Sequence, residues 1–519
     1  MALVRASGRV FSVALWVGLG CAPSRSVQRA EKPISDPAKR YEFPGFSVLP
    51  PQGARWFVSP AGPVEPLPEA NLLLTPQSPL VVFARRPEQP ITKDPRSMHR
   101  ALLSVSTRDL GERPVKTLKE YLAYEQTRTS ELAGTQVAPS VRLLSSRFEI
   151  DSSLQDCLRF EQVGEDTGVD EFPGVPFVAR IRGYRCLHPQ WPRYVVSVAY
   201  SEVYSRGVDP LHIDAEVEPA LRSLRLTPER PVFVTTIPVG LGGQGVAVFD
   251  GSVWVAWGDN GLARVDPRTN EVVQITVGRD PIGVAAGPEG VWVTNRRDGT
   301  VARIDPATNE MSSALPVGRL PLTIASGAGS VWIADEGAAE VVRVDPVASR
   351  VVARIWVGTH PSGLAVGGNA VYATSFDQGT VVRIDPATNE IVARQSLGGV
   401  AGALFPGFVS PAPGAAALGE GALWVACQGD GSVYRLDPRD LHVVARIPLG
   451  TRPSGIATGG SAVWVTLYDE FTVVKIDPRT NALVGEPIPV GVRPVLAAWG
   501  VDALWVTNAW SKNLSRIDP

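Results

Sequence analysis

Residues 291–310 read VWVTNRRDGTVARIDPATNE, and residues 371–390 repeat almost the same sequence as VYATSFDQGTVVRIDPATNE. Both copies place an aromatic residue, a glycine and an Asp-Pro dipeptide at the same spacing. Aligned on that dipeptide, the C-terminal part of the chain holds seven copies, which are marked by Asp266, Asp305, Asp345, Asp385, Asp437, Asp477 and Asp518. The spacing is about 40 residues, apart from one longer interval before Asp437. An internal repeat of this length predicts a propeller or a solenoid.

Each copy contains four short strand patterns, which are separated by turn residues. In the second copy the strands are PIGVAAG (281–287), GVWVTN (290–295), TVARID (300–305) and EMSSALPV (310–317). Asp298-Gly299 lies between the second and third of these, and this dipeptide favours a tight hairpin. With four strands per copy, seven copies and no helical period, the sequence predicts an all-β seven-bladed β-propeller.

The propeller is expected to span residues 231–519 and to close by pairing its two ends. The seventh copy reaches Asp518-Pro519 before a fourth strand, whereas the segment PVFVTTIPVG (231–240) precedes the first copy. We expect that segment to supply the fourth strand of the last blade, because a closed ring removes free sheet edges.

The Asp-Pro-x-Thr-Asn sequence is interpreted as turn chemistry. Proline fixes φ, the aspartate carboxylate accepts nearby backbone N–H groups, and asparagine tolerates the left-handed conformation. A basic residue precedes the aspartate by two positions in every copy, at Arg264, Arg303, Arg343, Arg383, Arg435, Lys475 and Arg516. Since packed blades bury much of such a side chain, each needs a partner. We expect ion pairs between blades or clamps on backbone carbonyls rather than contacts with a ligand.

Residues 46–228 lack the repeat and predict a smaller α+β domain. Helical spacing covers residues 115–132 and 214–226, and RLTPERP (225–231) is a short linker to the propeller. Strand-like runs cover residues 141–149, 156–163, 176–187 and 194–204. The order of the elements predicts an antiparallel sheet with helices on one face.

The N-terminus is predicted to be an export signal over residues 1–21. Arg5 and Arg9 precede a short apolar run, which is shorter than the roughly 20 residues that span a bilayer. The run ends in GLGC, which resembles a bacterial lipobox, and this resemblance implies that Cys21 is the lipid attachment site. Residues 22–45 are polar and are expected to form a flexible tether. The alternative is a plain secreted protein, in which Cys21 has no such role.

These expectations place the protein in the cell envelope, with the membrane reached only through a lipid anchor. A host with an outer membrane would carry it there, because Ala22 rather than aspartate follows Cys21. In an oxidising compartment Cys157 and Cys186 are candidates for one disulfide, which would stabilise the fold by about 3 kcal/mol. Cys427 is expected to be a buried apolar residue.

Composition excludes one large class of partner. The 519 residues carry a net charge of −2, with 44% hydrophobic and 20% charged residues. Because no basic arm or stripe stands out, nucleic acid is not an expected partner. The five histidines have no metal-ligand spacing, so neither a metal nor a cofactor is predicted.

The motifs V-G-x-x-P, V-W-V-T-N and R-I-D-P-x-T-N resemble the YVTN-type propeller repeats and, more loosely, the streptogramin B lyase-like propellers. This resemblance covers residues 231–519 and implies the fold rather than a function, since propellers include enzymes, receptors and scaffolds. The N-terminal domain, with its FSVLPPQGARWF start, weakly resembles the PsbP-like domains of exported proteins.

The lyase resemblance implies a catalytic histidine in the P-x-G word of an innermost strand and a glutamate soon after the aromatic strand. In this sequence the P-x-G positions hold Ile282, Ser362 and Ser454, and His360 precedes the strand. A lactonase of gluconolactonase type would need acidic ligands at the channel, where the inner strands carry small apolar residues. General acid–base catalysis therefore has no agent at the expected positions.

The loops that enter the innermost strands and those that follow the second strands are expected to share one face. The entering loops carry Arg279, Arg319, His360, Arg452 and Arg493. Their basic charge would attract a carboxylate, a phosphate or an acidic sugar. The second set of loops adds Arg296, Arg297, Asp335, Glu336, Phe376, Tyr468, Asp469 and Trp510. The alternative is that exposed loops carry arginine for solubility alone.

The long interval in the repeat comes from an apolar insertion, GGVAGALFPGFVSPAPG (398–414). Leu404, Phe405 and Phe408 stand where a loop is normally polar, and unusual loops on rigid scaffolds often carry function. The insertion can plug the channel, pack on the N-terminal domain or hold a partner. Together these features predict a non-catalytic binding or interaction platform whose partner is an envelope protein or an anionic small ligand. The alternative is a propeller enzyme of lyase or lactonase type.

Overall fold

A computed structural model describes residues 32–34, 36–43, 46–53, 55–59, 80–85, 92–97, 99–110, 115, 117–132, 141–167, 172, 174–192, 194–228, 231–240, 242–288, 290–312, 314–398 and 412–519. Cys21 and the inserted residues Leu404, Phe405 and Phe408 lie outside these ranges, so the predictions about them stay predictions. Among the helices in these ranges, none has the length and apolar character that crossing a membrane requires.

The described residues of the N-terminal part form two antiparallel sheets and two α-helices. Its elements are β1 (Lys32–Pro33), β2 (Tyr41–Phe43), β3 (Phe46–Val48), β4 (Trp56–Ser59), β5 (Val81–Arg85), β6 (His99–Asp109), α1 (Leu118–Leu132), β7 (Val141–Ile150), β8 (Cys157–Asp166), β9 (Phe177–Leu187), β10 (Tyr194–Ser205), α2 (Asp214–Leu221) and β11 (Arg225–Leu226). The large sheet has the order β1-β4-β5-β6-β10-β9-β8-β7, and the small one has the order β11-β3-β2. The four predicted strand runs are confirmed as β7 to β10.

The two helices lie on opposite faces of the large sheet, so the prediction that they share one face is wrong. Tyr121 of α1 belongs to an apolar cluster with Ile181 of β9. Val217 of α2 belongs to a different cluster, with Tyr184 of the same strand. Because successive side chains of a strand point to opposite faces, residues 181 and 184 mark the two sides of the sheet. Helical periodicity identifies an apolar face but does not say which side of a sheet receives it.

The folded part begins earlier than the predicted boundary at residue 46. Lys32–Pro33 pairs with Phe57 and Val58, and Tyr41–Phe43 pairs with Phe46–Val48. Part of the segment predicted as a flexible tether is therefore strand. The predicted second helix is also shorter than expected, because it ends at Leu221 and the chain then forms β11 against β3.

A disulfide joins Cys157 to Cys186. The two cysteines are directly opposite each other in the β8–β9 ladder, so the bridge links two neighbouring strands of the large sheet. Cys427 is fully buried, and burial raises the pKa of its thiol well above the usual range.

The C-terminal part consists of seven four-stranded antiparallel sheets, as the repeat predicts. Blade 1 comprises β13 (Val246–Phe249), β14 (Ser252–Trp257), β15 (Gly261–Val265) and β16 (Val272–Thr276). Blade 2 comprises β17 (Pro281–Gly287), β18 (Gly290–Asn295), β19 (Thr300–Ile304) and β20 (Leu315–Pro316), and blade 3 comprises β21 (Pro321–Gly327), β22 (Ser330–Asp335), β23 (Glu340–Asp345) and β24 (Arg350–Trp356). Blade 4 comprises β25 (Pro361–Gly367), β26 (Ala370–Ser375), β27 (Thr380–Asp385) and β28 (Glu390–Ser396), and blade 5 comprises β29 (Pro413–Gly419), β30 (Ala422–Cys427), β31 (Ser432–Leu436) and β32 (Val443–Pro448). Blade 6 comprises β33 (Pro453–Gly459), β34 (Ala462–Leu467), β35 (Thr472–Asp477) and β36 (Ala482–Pro489), and blade 7 comprises β37 (Pro494–Gly500), β38 (Ala503–Asn508), β39 (Asn513–Asp518) and β12 (Phe233–Pro238).

Ring closure takes place as the sequence predicts. β12 comes before the first blade in the chain but pairs with β39 of blade 7, with Val234 opposite Ile517. Neighbouring blades share apolar layers, such as the one that joins Trp332 of blade 3 to Val371 and Ile384 of blade 4. The N-terminal part packs beside β12, where the Thr107 hydroxyl donates a hydrogen bond to the carbonyl of Val232 over 2.6 Å.

The repeated arginine clamps one blade to the next. Arg343 of blade 3 stacks over its own Trp332 and donates through Nη1 to the carbonyl of Pro386 and the Oδ1 of Asn389, at 2.5 and 2.8 Å. Arg264 and Arg435 make the same pair of bonds to the turns of blades 2 and 6. The Asp-Pro-x-Thr-Asn turn therefore also supplies the hydrogen-bond acceptors for the arginine of the preceding blade. This confirms the prediction of carbonyl clamps.

The clamp changes between blades 4 and 5. Leu441 stands where Asn389 and Asn481 stand in other turns, and within the described residues Arg383 has no hydrogen-bond partner. Blade 4 also carries Tyr372 in place of tryptophan, and its hydroxyl donates to the carbonyl of Pro438 over 2.8 Å. A tyrosine hydroxyl thus takes over the backbone acceptor that the arginine uses elsewhere.

This difference gives a matched pair of variants. Arg343→Met keeps an apolar stem but removes both clamp bonds, so we expect a loss of about 2 kcal/mol in the free energy of unfolding of the propeller. Arg383→Met should change that free energy by no more than about 0.5 kcal/mol, because no clamp bond is lost. Urea denaturation of the two variants measures the difference, and equal losses would show that the clamp bonds contribute nothing beyond packing.

Candidate functional site

The two predicted sets of loops meet at one end of the propeller channel. In blade after blade, the residue that follows the second strand donates its N–H to a carbonyl of the entering loop. Such bonds join Arg296 to Asp280, Phe376 to His360, Gln428 to Ala412, Tyr468 to Arg452 and Ala509 to Arg493, all at 2.9–3.1 Å. We call this end the channel mouth, and its rim consists of the residues that follow each strand-initial proline: Ile282, Leu322, Ser362, Gly414, Ser454 and Val495.

A cavity of about 820 Å³, including the part open to solvent, occupies the channel mouth. Its lining is largely apolar, with Ile282, Leu322, Phe376 and Leu496 among the contributors. Deeper in the channel a second space of about 580 Å³, including the part open to solvent, is lined by residues of the innermost strands, such as Gly283 and Ile324. An apolar concave site with a few polar groups is the usual form of a small-molecule site.

The charged residues of the mouth are concentrated on blades 2 to 4. Nη2 of Arg296 lies 3.1 Å from a carboxylate oxygen of Glu336, and both side chains are mostly buried. Nε2 of His360 lies 3.7 Å from the other oxygen of Glu336, and its Nδ1 lies 3.5 Å from Asp377. The imidazole also packs on Phe376, with ring centroids 5.1 Å apart. Arg296 and Glu336 compensate each other, so the wall is polar but close to neutral.

The two rim serines have structural hydrogen bonds. Ser362 Oγ donates to the carbonyl of Pro413 over 2.8 Å, and Ser454 Oγ donates to the carbonyl of Pro494 over 2.6 Å. Each hydroxyl also contacts a threonine of its own blade. These bonds tie neighbouring innermost strands together, and they leave neither serine activated by a base.

Gln428 is the residue of the mouth that sequence reasoning missed. Its side chain lines the cavity and is only 6% exposed, and no described residue hydrogen bonds to its Oε1. A Cβ on Gly414 would lie 2.7 Å from Gln428 Nε2, so the glycine of blade 5 makes room for the amide. The sequence did carry a signal, because Gln428 occupies the register position of Glu336 and Phe376. The residue is uncharged, so a pattern of charged residues does not identify it.

The five predicted residues of the entering loops do not form one ring. His360 lines the cavity. Arg279 is 73% exposed and is held by Asp298 on the neighbouring hairpin, with 2.6 Å between Nε and Oδ1, and Arg319 points to solvent. Arg452 and Arg493 lie together on blades 6 and 7, where both pack on Tyr468. The structure therefore separates the predicted set into a mouth residue, two outward arginines and a pair beside the mouth.

Within the part of the chain that the structure describes, one group of possible metal ligands lies away from the channel mouth. Carboxylate oxygens of Asp437 and Asp440 and a ring nitrogen of His442 lie within 4.8 Å of one another on the exposed turn of blade 5. Hydrogen bonds from Arg439 lower the pKa of Asp437 to about 2. Since this carboxylate already caps its own turn, the group is explained as turn structure.

The propeller is similar to solved propeller structures. It shares 15% identity with virginiamycin B lyase from Staphylococcus aureus, with a TM-score of 0.48 over 55% of this chain and 99% of that chain. A catalytically inactive variant of the same lyase with quinupristin gives 16% identity and a TM-score of 0.48 over 55% and 99% of the two chains. The WD40 repeats of RRP9 give 11% identity and a TM-score of 0.46 over 55% and 96%. No protein-family model and no curated protein matches the sequence. Similarity at this level concerns the fold alone.

Proposed function

We propose that the protein is a non-catalytic binding platform of the cell envelope, which holds a ligand at the channel mouth. The observation that carries the proposal is the amide of Gln428, which lies in an apolar cavity with an Oε1 that no described residue satisfies. A buried polar atom without a partner costs about 1–3 kcal/mol. A ligand that donates an N–H or O–H group to this oxygen removes the cost on binding.

The lining defines the kind of ligand further. Ile282, Leu322 and Leu496 favour an apolar body, while Gln428 on one side and Arg296 with Glu336 on another fix its orientation. Since the charges of the wall compensate each other, the mouth suits a neutral or weakly anionic small molecule, or an apolar side chain that an envelope protein inserts.

One observation favours a second function. His360 lies between two carboxylates at the cavity, Glu336 and Asp377, which is a setting for general acid–base catalysis. The sequence alone does not reveal this group, because its three residues come from three different loops. In this alternative His360→Gln abolishes turnover but leaves binding, whereas in the binding platform the same variant has no activity to lose.

The proposal can be tested before the ligand is known. Gln428→Met replaces an amide whose Oε1 no described residue satisfies by an apolar side chain of similar size, so we expect the unliganded protein to become about 1 kcal/mol more stable. The control is Gln274→Met, since Gln274 Nε2 donates to the carbonyl of Val239 over 3.0 Å and should lose stability. Thermal and urea unfolding measure both.

The same two variants then serve to test binding. Small molecules that copurify with the wild-type protein from envelope extract are identified by mass spectrometry and titrated back. We expect affinity to fall about tenfold in Gln428→Met and to stay unchanged in Gln274→Met. If Gln428→Met destabilises the unliganded protein, the amide is satisfied in the fold and the proposal loses its support.

A further inference from the structure

A line of charged and aromatic side chains lies beside the channel mouth, on blades 6 and 7. We call it the arginine–aromatic ladder, and it consists of Trp510, Arg493, Tyr468, Arg452 and Asp469. The guanidinium of Arg493 lies 3.5 Å from the ring centroid of Trp510, and its Nη1 donates to the Tyr468 hydroxyl over 3.1 Å. Arg452 lies over the same tyrosine at 4.5 Å and pairs with Asp469 at 3.0 Å. None of these residues contributes to the lining of the channel-mouth cavity that contains the Gln428 amide.

The ladder carries an uncompensated positive charge. No carboxylate of the described residues lies within ion-pair distance of Arg493, while Arg452 pairs with Asp469. Burial lowers the pKa of Arg452, Asp469 and Tyr468 raise it, and the charge of Arg493 lowers it further. The two guanidinium groups share the ring of Tyr468, and the charge of Arg493 has no carboxylate partner among the described residues, so an additional anion would be stabilised there.

Trp510 adds a flat apolar surface that is fixed in position. The indole is 56% exposed, so much of a large apolar ring surface is open to a ligand. Cation–π contact with Arg493 holds the ring, so a ligand that stacks on it would not have to order the side chain first. Exposed aromatic rings beside arginine are typical anchors of binding sites.

Asp469 narrows the chemistry of the ligand. Its side chain is 47% exposed and accepts hydrogen bonds, so it favours hydroxyl groups and opposes a highly charged phosphate. A neutral sugar would leave Arg493 without its anion. An acidic sugar suits all three side chains. Its carboxylate would pair with Arg493, its C–H face would stack on the indole of Trp510, and its hydroxyls would donate hydrogen bonds to Asp469.

We propose that the arginine–aromatic ladder binds a uronic-acid-containing oligosaccharide. The ladder's side chains come from two neighbouring blades, and its two arginines offer two positions for a carboxylate, which favours an oligosaccharide over a single sugar. The ladder and the channel mouth are formed by different residues, so this proposal does not depend on the function proposed for Gln428.

The test is isothermal titration calorimetry of the full chain with trimers of galacturonic, glucuronic and mannuronic acid. The matched neutral probe is the fully methyl-esterified galacturonic trimer, which keeps the rings but loses the carboxylate charge. We expect at least one acid trimer to bind with a Kd below about 1 mM, and the galacturonic ester to bind about tenfold to a hundredfold more weakly than its acid. Raising the salt concentration should weaken the acid trimers.

Variants locate the binding. Arg493→Gln and Trp510→Ala are each expected to reduce the affinity about tenfold or more, with unfolding curves as the check on folding. The controls are Trp356→Ala and Arg319→Gln, because Trp356 is equally exposed at 56% and lies near Arg394 on an outer strand, and Arg319 is exposed on an entering loop. Gln428→Met should also leave the affinity unchanged.

Three results would overturn the proposal. The first is that none of the acid trimers binds, and the second is that the ester binds as tightly as its acid. The third is that the control variants lose as much affinity as Arg493→Gln and Trp510→Ala. If inorganic phosphate or an acidic peptide binds while the trimers do not, the ladder is an anion site of another kind and the proposal also fails.

Discussion

Replacing Glu125 with glutamine is expected to lower the free energy of unfolding of the N-terminal domain by about 3–5 kcal/mol. Glu125 is fully buried between α1 and the large sheet, and its oxygens lie 2.7 Å from Arg108 Nη2 and 2.8 Å from Arg185 Nη1. Both guanidinium groups are buried as well. The variant leaves the two buried guanidinium groups with a neutral partner. The electrostatic stabilisation that is lost exceeds the stabilisation from any hydrogen bond that the glutamine amide can still accept.

The stability should also depend on pH in a defined direction. Burial opposes ionisation of Glu125, but Arg185, Arg108 and Arg128 outweigh it and lower its pKa to about 2. An unfolded glutamate titrates near about 4.3. Because the folded pKa is the lower one, the stabilisation is complete above pH ~4.3 and is lost as the pH falls towards about 2. Glu125→Gln should remove this part of the acid dependence.

The measurement is urea unfolding between neutral and acidic pH, with hydrogen exchange of the α1 and β9 amides to follow the N-terminal domain. Glu149→Gln is the control, since Glu149 and Arg147 form an exposed ion pair at 3.1 Å. Such pairs contribute about 0–1 kcal/mol. Equal stability losses in the two variants would show that the buried network is not what holds α1 to the sheet.

Most of the propeller was predictable because one local pattern is written seven times. The seven Asp-Pro copies set the number of blades, the strand patterns within one copy set four strands per blade, and the incomplete seventh copy located β12. The same pattern did not reveal which groups of the Asp-Pro-x-Thr-Asn turn accept the hydrogen bonds of the arginine. Asn389 accepts a hydrogen bond from Arg343 of the preceding blade. This contact depends on how two blades pack, and the sequence of a single copy carries no information about that packing.

The candidate site was less predictable for a related reason. The sequence predicts that His360 and Glu336 lie on loops at one face. Only the folded ring shows that His360 Nε2 lies 3.7 Å from a carboxylate oxygen of Glu336 on the neighbouring blade. Arg279 is equivalent to His360 in the repeat, but its ion pair with Asp298 holds it away from the mouth. Gln428 carries no charge and was not considered, although its register position is that of Glu336. Register predicts which positions meet, whereas the neighbouring side chains decide which of them point inward.

Ring closure provides the second large effect. Ile237 of β12 is buried in the layer between blades 7 and 1, where it packs with Val255 and Leu514. Ile237→Asp places an unpaired charge in this layer, so we expect the propeller to lose about 4 kcal/mol or more of its free energy of unfolding. Thr235→Asp is the control, because Thr235 lies on the same strand but is only partly buried.

The closure variant should also act locally before the whole ring unfolds. β12 is joined to blade 7 only through β39, so its detachment exposes the β39 edge while the ladders of blades 2 to 6 remain paired. Hydrogen exchange should therefore accelerate in β12 and β39 of Ile237→Asp well before it does in β26 or β34. Uniform acceleration in all blades would mean that the ring opens as a single cooperative unit, and that closure stabilises every blade equally. An unchanged rate in β39 would mean that the edge is protected without β12, in which case the closing strand contributes less than its burial indicates.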